Sequence, residues 1–245
     1  MTADQPTANQ STANQSIADQ PNADPLSADE RPQGLLFDWD NTLVDSWAAI
    51  HHALQVTFAE LGYRPWSFEE TKANVRKSAR EAFPELFGDQ AERATEVFYA
   101  TFEQDHLASL RPLPGADALI RGLAADGYLL GVISNKRGRL LRAEASALGW
   151  DRHMLAVVGA NDAARDKPDP VVLEYALRDG PLERVERQRI WFVGDTDIDL
   201  SCAHNGGCVP VLVRGDAPAT GEFAGCPPRR HFPDCRALLA YLRGD

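Results

Sequence analysis

A chain of 245 residues with 44% apolar content can bury one substantial core and a small second one. Its net charge of -11, with no basic stripe, argues against a nucleic-acid partner held through phosphates. No run of about 20 apolar residues occurs, so no helical membrane span is expected.

Residues 1–33 repeat a small polar pentad, from Thr2-Ala3-Asp4-Gln5-Pro6 to Asn22-Ala23-Asp24-Pro25-Leu26, with no apolar periodicity. Such a segment cannot bury enough surface to offset its ordering entropy, so a disordered low-complexity extension is expected. It has neither the basic start and apolar centre of a signal peptide nor the Arg content of a transit peptide, so a cytoplasmic protein is expected.

Gly34 to Ser46 is the stretch around which the rest is organised. The apolar run Leu35–Phe37 reads as a buried parallel strand, and it delivers Asp38 and Asp40 at its C-terminal edge. On regular strand geometry residues i and i+2 share a face. Two carboxylates that close raise each other's pKa unless a cation or hydrogen bonds intervene. The pair therefore suggests a metal, an acid/base division of labour, or both. Taken alone it reads equally well as solvated aspartates before a helix.

After Asp45 the period changes. Trp47, Ile50, Leu54, Phe58 and Leu61 recur at three and four, and Gly62 follows as a stop signal, which predicts an amphipathic helix. Leu86 and Phe87 end a second helical patch; Ala91, Ala94, Phe98 and Phe102 mark a third. Residues 47–110 are thus expected to form a small all-helical insertion, laid out as a cap over the strand's edge. Within it Lys72, Arg76 and Arg80 are spaced for one helix face, with Lys77 beside them. A solvated basic face is the simpler reading, and Arg76 is the member kept as a candidate for substrate binding.

Pro114-Gly115 opens a helix with Leu119 and Leu123, and Tyr128–Ile133 is a short apolar run bounded by polar residues, which predicts a second buried strand. It ends at Ser134-Asn135-Lys136, where a hydroxyl and free backbone N–H groups suit phosphate oxygens. Ser134 is equally suited to cap the following helix. A third strand, Leu155–Val158, leads to Asp166-Lys167-Pro168-Asp169-Pro170, whose prolines fix the approach of Lys167. A fourth, Ile190–Val193, is followed by Asp195, Asp197 and Asp199, three carboxylates in five residues and good Mg²⁺ ligands. If a helix starts there, Asp195 and Asp199 approach one site. Val209–Val213 is a fifth strand and Leu238, Leu239 and Leu242 suggest a closing helix. Cys202, Cys208, Cys226 and Cys235 lack C-x-x-C spacing and read as reduced thiols.

Four strand ends thus carry, in order, Asp38 and Asp40, Ser134, Lys167, then Asp195 and Asp199. This resembles the haloacid dehalogenase superfamily, whose four motifs occur in that order, and the Ser134-Asn135-Lys136 and Asp166-Lys167-Pro168 segments look closest to phosphoglycolate-phosphatase-like members. The resemblance covers residues 35–213. It implies an α/β fold: a doubly wound parallel sheet, Rossmann-like, with core residues 34–46 and 111–245 and a helical cap at 47–110. It also implies Mg²⁺-dependent hydrolysis of a small phosphorylated metabolite, phosphoglycolate or a sugar phosphate first. By that resemblance Asp38 is the nucleophile and Asp40 the acid and base. Mg²⁺ is held by Asp38, the Asp40 carbonyl, Asp195 and Asp199. Thr42, Ser134, Asn135 and Lys167 hold the transferring phosphate. A phosphosugar mutase, a phosphonate hydrolase using Lys72 or Lys77, and a non-catalytic phospholigand-binding protein are the alternatives. Two positions depart from the family. Asn41 stands where glycine is frequent, and Asn tolerates unusual backbone angles. Trp39 is bulky, and either packs under the insertion or narrows the choice of leaving group.

Overall fold

The computed structural model describes residues 26–27 and 30–244. Most of the pentad segment therefore lies outside the described residues. Its last residues, 30–33, were expected to belong to the tail but lie against the body: Arg31 Nη1 donates to the Leu242 carbonyl and the Gln33 N–H to that of Arg189.

Among the described residues six parallel strands form one sheet in the order β3-β2-β1-β4-β5-β6. They are β1 (Gly34–Phe37), β2 (Leu129–Arg137), β3 (Ala156–Ala160), β4 (Ile190–Gly194), β5 (Val209–Val213) and β6 (Arg230–Phe232). The chain fills one side of β1 with β2 and β3, then crosses back to lay β4, β5 and β6 on the other. The order therefore reverses at β1, and in open parallel sheets ligands bind outside the carboxyl ends of the strands at such a switch.

Strand alternation explains why these runs are apolar on both faces. Leu35 and Phe37, Leu130 and Val132, and Trp191 and Val193 point into one layer, closed by α5 (Ala116–Ala125) and α9 (Cys235–Arg243) through Leu119, Leu123, Leu238 and Leu242. Leu36, Ile133, Ile190 and Phe192 point into the other, closed by α7 (Val171–Leu177) and α8 (Asp197–Asn205) through Val172, Leu173, Cys202 and Ala203. Each such Leu, Val or Phe contributes about 1.5–3 kcal/mol when fully buried. α6 (Gly138–Ala147) follows β2 directly.

The insertion after β1 comprises α1 (Trp47–Leu61), α2 (Phe68–Asn74), α3 (Ala79–Phe87) and α4 (Ala91–Asp105). It has its own apolar centre of Ile50, Leu54, Phe58, Phe83, Phe87 and Phe102, joined to the body by Leu140 of α6. No described helix is long and apolar enough to cross a membrane.

Three expectations need correction. The second strand does not stop at Ile133: β2 runs through Ser134, Asn135 and Lys136 to Arg137, and the helix behind it starts at Gly138, so Ser134 does not cap it. Lys72, Arg76 and Arg80 do not share a helix, because α2 ends at Asn74 and α3 starts at Ala79. Lys72 faces Glu69, Lys77 faces Glu85, and Arg80 turns inward to the buried Asp166 at 2.6 Å. Finally, β6 has no counterpart in the sequence reading. Only three residues long, with Phe232 its only fully buried one, it carries no apolar run.

Candidate active site

Register assembles the site. Phe37, the last residue of β1, lies opposite Val132 of β2 and Val193 of β4, so the next residues of all three strands emerge at one edge. Asp38 continues the pairing, its N–H donating to the Val193 carbonyl at 2.8 Å. Behind it the chain turns at once. Asn41 takes φ +64°, the left-handed conformation that favours glycine and that Asn adopts more readily than most residues.

Asp38, Asp195 and Asp199 present one oxygen each within 4.8 Å of one another. Lys167 stands between two of them, its Nζ 2.6 Å from Asp38 Oδ1 and 2.7 Å from Asp199 Oδ1. The Thr42 hydroxyl lies 3.1 Å from Asp195 Oδ1 and 3.4 Å from Asp38 Oδ2, and donates to one of them at a time. Asp199 is brought in by α8. It is the third residue of that helix, and its Oδ2 accepts from both the N–H and the hydroxyl of Thr196, a reciprocal capping box. Gly194 makes the approach possible, because a Cβ there would lie 2.3 Å from the Asp199 side chain.

Asn135 positions Lys167 rather than facing only outward. Its Oδ1 accepts from the Lys167 N–H at 3.0 Å and its Nδ2 donates to the Lys167 carbonyl at 3.1 Å. Ser134 is buried, and its Oγ accepts from the Lys136 N–H at 3.1 Å. Asp38, Asp40, Ser134, Asn135, Lys167, Asp195 and Asp199 all line one cavity beneath the helical insertion, and Arg76 lines it too. Arg76 is about a third exposed and faces Asp197 at 3.7 Å. Thr42 sits under the carboxylates rather than on the cavity wall.

The model of the haloacid dehalogenase-like hydrolase family matches residues 35–213. The chain belongs to this family. Among its relatives, a phosphoglycolate phosphatase of Rhodospirillum rubrum is 35% identical over 194 residues, covering 74% of this chain and 79% of that protein. The pyrophosphatase PpaX of Listeria monocytogenes is 28% identical over 213 residues, covering 86% and 96%. In structure, a haloacid dehalogenase-like hydrolase of Streptococcus pneumoniae superposes with a TM-score of 0.74 at 21% identity, covering 86% of this chain and 98% of that one, which shows a shared fold.

In this haloacid dehalogenase-like chain the electrostatics of the carboxylate group are unbalanced without a further cation. Burial pushes Asp38 up to about 7; Lys167 opposes it, and the nearby Asp199 and Asp40 add to it. Asp195 is raised well above the usual carboxylate range, by burial first and then by Asp199 and Asp38. Burial pulls Lys167 down, but Asp199 and Asp38 outweigh it and hold the ammonium charged. An all-oxygen set of carboxylates suits a hard cation such as Mg²⁺ rather than a metal that prefers nitrogen or sulfur. The residues therefore fit the ion that the family motif implies.

One part of this site was not singled out in the sequence. Lys136 Nζ lies 2.7 Å from Asp40 Oδ1 and 2.6 Å from Glu144 Oε2. Glu144, wholly buried, also accepts from Trp39 Nε1 at 2.7 Å, and its Oε1 lies 2.9 Å from His106 Nδ1 at the end of α4. Burial lowers the Lys136 pKa, and Asp40 and Glu144 more than restore it. Trp39 neither packs under the insertion nor reaches the cavity: it is buried in the main core, edge to face with Trp150 at 5.5 Å. A signal for Glu144 existed. It lies four residues after Leu140, three after Leu141 and four before Leu148, which puts a carboxylate on the helix's apolar stripe.

Proposed function

We propose that the chain is a Mg²⁺-dependent phosphatase that hydrolyses a small phosphate monoester through an aspartyl phosphate on Asp38. The observation that carries this reading is the meeting of Asp38, Asp195 and Asp199 within 4.8 Å, with Lys167 between Asp38 and Asp199, at the carboxyl edge of the sheet. The Rhodospirillum rubrum relative, named a phosphoglycolate phosphatase, supports the same class, and 2-phosphoglycolate and sugar phosphates are its first esters to try. The helices of residues 47–105 act as the cap.

Bound by the Asp38, Asp195 and Asp199 carboxylates with the Asp40 carbonyl, Mg²⁺ would offset their charge and that of the phosphate. Asp38 attacks phosphorus, forming an oxygen–phosphorus bond as the bond to the ester oxygen breaks. Asp40 gives its proton to the leaving alkoxide, and Lys136 holds its carboxylate in place. A water then attacks the aspartyl phosphate, gives its proton to Asp40 and releases inorganic phosphate, which restores Asp38. Ser134, the Asn135 amide and Lys167 hold the transferring oxygens, while Thr42 fixes the orientation of Asp38 and Asp195. Arg76, at the rim, draws in the anionic ester.

The test is phosphate release from p-nitrophenyl phosphate, 2-phosphoglycolate, sugar phosphates, nucleotides and pyrophosphate, with Mg²⁺ or EDTA, for wild type and Asp38→Asn. Turnover that needs Mg²⁺ and disappears in the variant is expected. A folded wild type inert on all of them would overturn the reading.

A further inference from the structure

The cavity that holds the carboxylates continues between α1, α3 and α4, where its walls are Trp47, Leu54, Phe83, Leu86, Phe98 and Phe102. The whole space, charged and apolar ends together, has a free volume of about 150 Å³, so with a phosphate at the charged end the apolar end has room for a short hydrocarbon only. One end is therefore charged and the other apolar and aromatic, and the two are a single space.

The cations on its wall are already faced by carboxylates. Lys167 is held by Asp38 and Asp199, Lys136 by Asp40 and Glu144, Arg76 by Asp197 and Lys77 by Glu85. The Arg76 and Lys77 pairs are exposed and weak, but a leaving group that carried its own carboxylate past them into the helical end would have to break one of the buried pairs of Lys167 or Lys136 or be buried without a charged partner, which is strongly unfavourable. A hydrocarbon there meets the surface it prefers.

Resting on the phosphatase reading above, we propose that the leaving group is an uncharged apolar alcohol of short-alkyl size, seated between α1, α3 and α4 while its phosphate lies on Asp38. Glycolate, the leaving group in the named activity of the Rhodospirillum rubrum relative, is charged and too short to use that space.

The test compares kcat/KM for methyl, butyl, hexyl and benzyl phosphate and 2-phosphoglycolate, all alkyl esters, with Mg²⁺. For each added methylene that enters the cavity, kcat/KM is expected to rise about fourfold, the factor carried by burying one such group. Butyl phosphate should exceed 2-phosphoglycolate by about tenfold or more. Arg76→Gln should lower the butyl and glycolate esters by the same factor. A flat alkyl series, a preference for 2-phosphoglycolate, or an Arg76→Gln loss confined to that ester would overturn the proposal and leave the phosphatase reading standing. Failure of the folded protein to cleave any of the five esters would overturn the proposal, and inertness on the wider panel of esters above would overturn the phosphatase reading as well.

Discussion

Lys136 and Glu144 form an ion pair of 2.6 Å with side chains only 5% and 1% exposed, and the same ammonium reaches Asp40 on its other side. Two consecutive elements, the end of β2 and the second half of α6, thus fix a carboxylate at the sheet's carboxyl edge through a buried cation. Removing one member of a buried pair leaves the other uncompensated, at a cost of about 3–5 kcal/mol. Glu144→Ala leaves Lys136 paired with Asp40, which softens that cost, but it also strands the Trp39 indole and His106, so it should lower the unfolding free energy in urea by up to about that amount. Glu144→Gln keeps the volume and an acceptor oxygen and should cost less. An alanine variant within about 0.5 kcal/mol of wild type would show that the network carries no stability.

Lys167 is a tethered cation among carboxylates that also suit Mg²⁺. Lys167→Met should therefore separate two roles. Turnover should fall by about 10²- to 10³-fold, the range for losing one fixed donor to developing charge. The rise in melting temperature on adding Mg²⁺ should at the same time grow relative to wild type, because the competing ammonium is gone. An unchanged Mg²⁺ response would mean that the ammonium and the ion do not share those oxygens.

The pH dependence follows from Asp38. Its folded pKa, about 7 without metal, lies above the ordinary value of 3.8, so the folded state binds more protons across that window. The associated stability is fully present below about pH 3.8 and is lost as pH rises through about 7. Asp195 shifts in the same direction. Each group changes stability by at most about 1.4 kcal/mol per pH unit. In EDTA this linkage should lower the melting temperature as pH rises from 5 to 8. Added Mg²⁺ should restore it, by more at pH 8 than at pH 5, because protons compete with the ion at the lower pH. Thermal scans at the two pH values check this, and equal Mg²⁺ shifts at both would contradict it.

Much of this site was legible in the chain because parallel strands buried on both faces write themselves as apolar runs, and chemistry at their carboxyl edge follows directly in sequence. Asn41 is such a case: its tolerance of unusual backbone angles matches the φ of +64° it adopts. What could not be read depends on partners distant in the chain. Trp39 is turned into the core by Glu144, 105 residues later, and Arg80 is turned inward by Asp166, 86 residues later. The basic row failed for a local reason. The spacing of Lys72, Arg76 and Arg80 fits a helix, but Val75 at the end of α2 is extended, with ψ 104°, and breaks the face.

Gly194 offers the sharpest test of how the fold makes the site. It is the last residue of β4, and any side chain on it would meet Asp199 Cβ and Cγ at 2.3 Å. Neither side has room to yield, since Gly194 is part of the sheet and Asp199 is locked by its bonds to Thr196 and Lys167. Gly194→Ala should therefore push the first turn of α8 outward, at a cost of about 1–3 kcal/mol in stability, typical of forcing a methyl group into a filled space. The functional loss should be far larger than that stability change suggests, because Asp199 would move off both Lys167 and the neighbouring carboxylates. The expected result is a folded protein by circular dichroism whose melting temperature barely responds to Mg²⁺ and whose phosphate release is at least about 10²-fold down, since small displacements at a reacting centre cost that much. A variant with wild-type Mg²⁺ response and turnover would mean that Asp199 need not sit where α8 holds it.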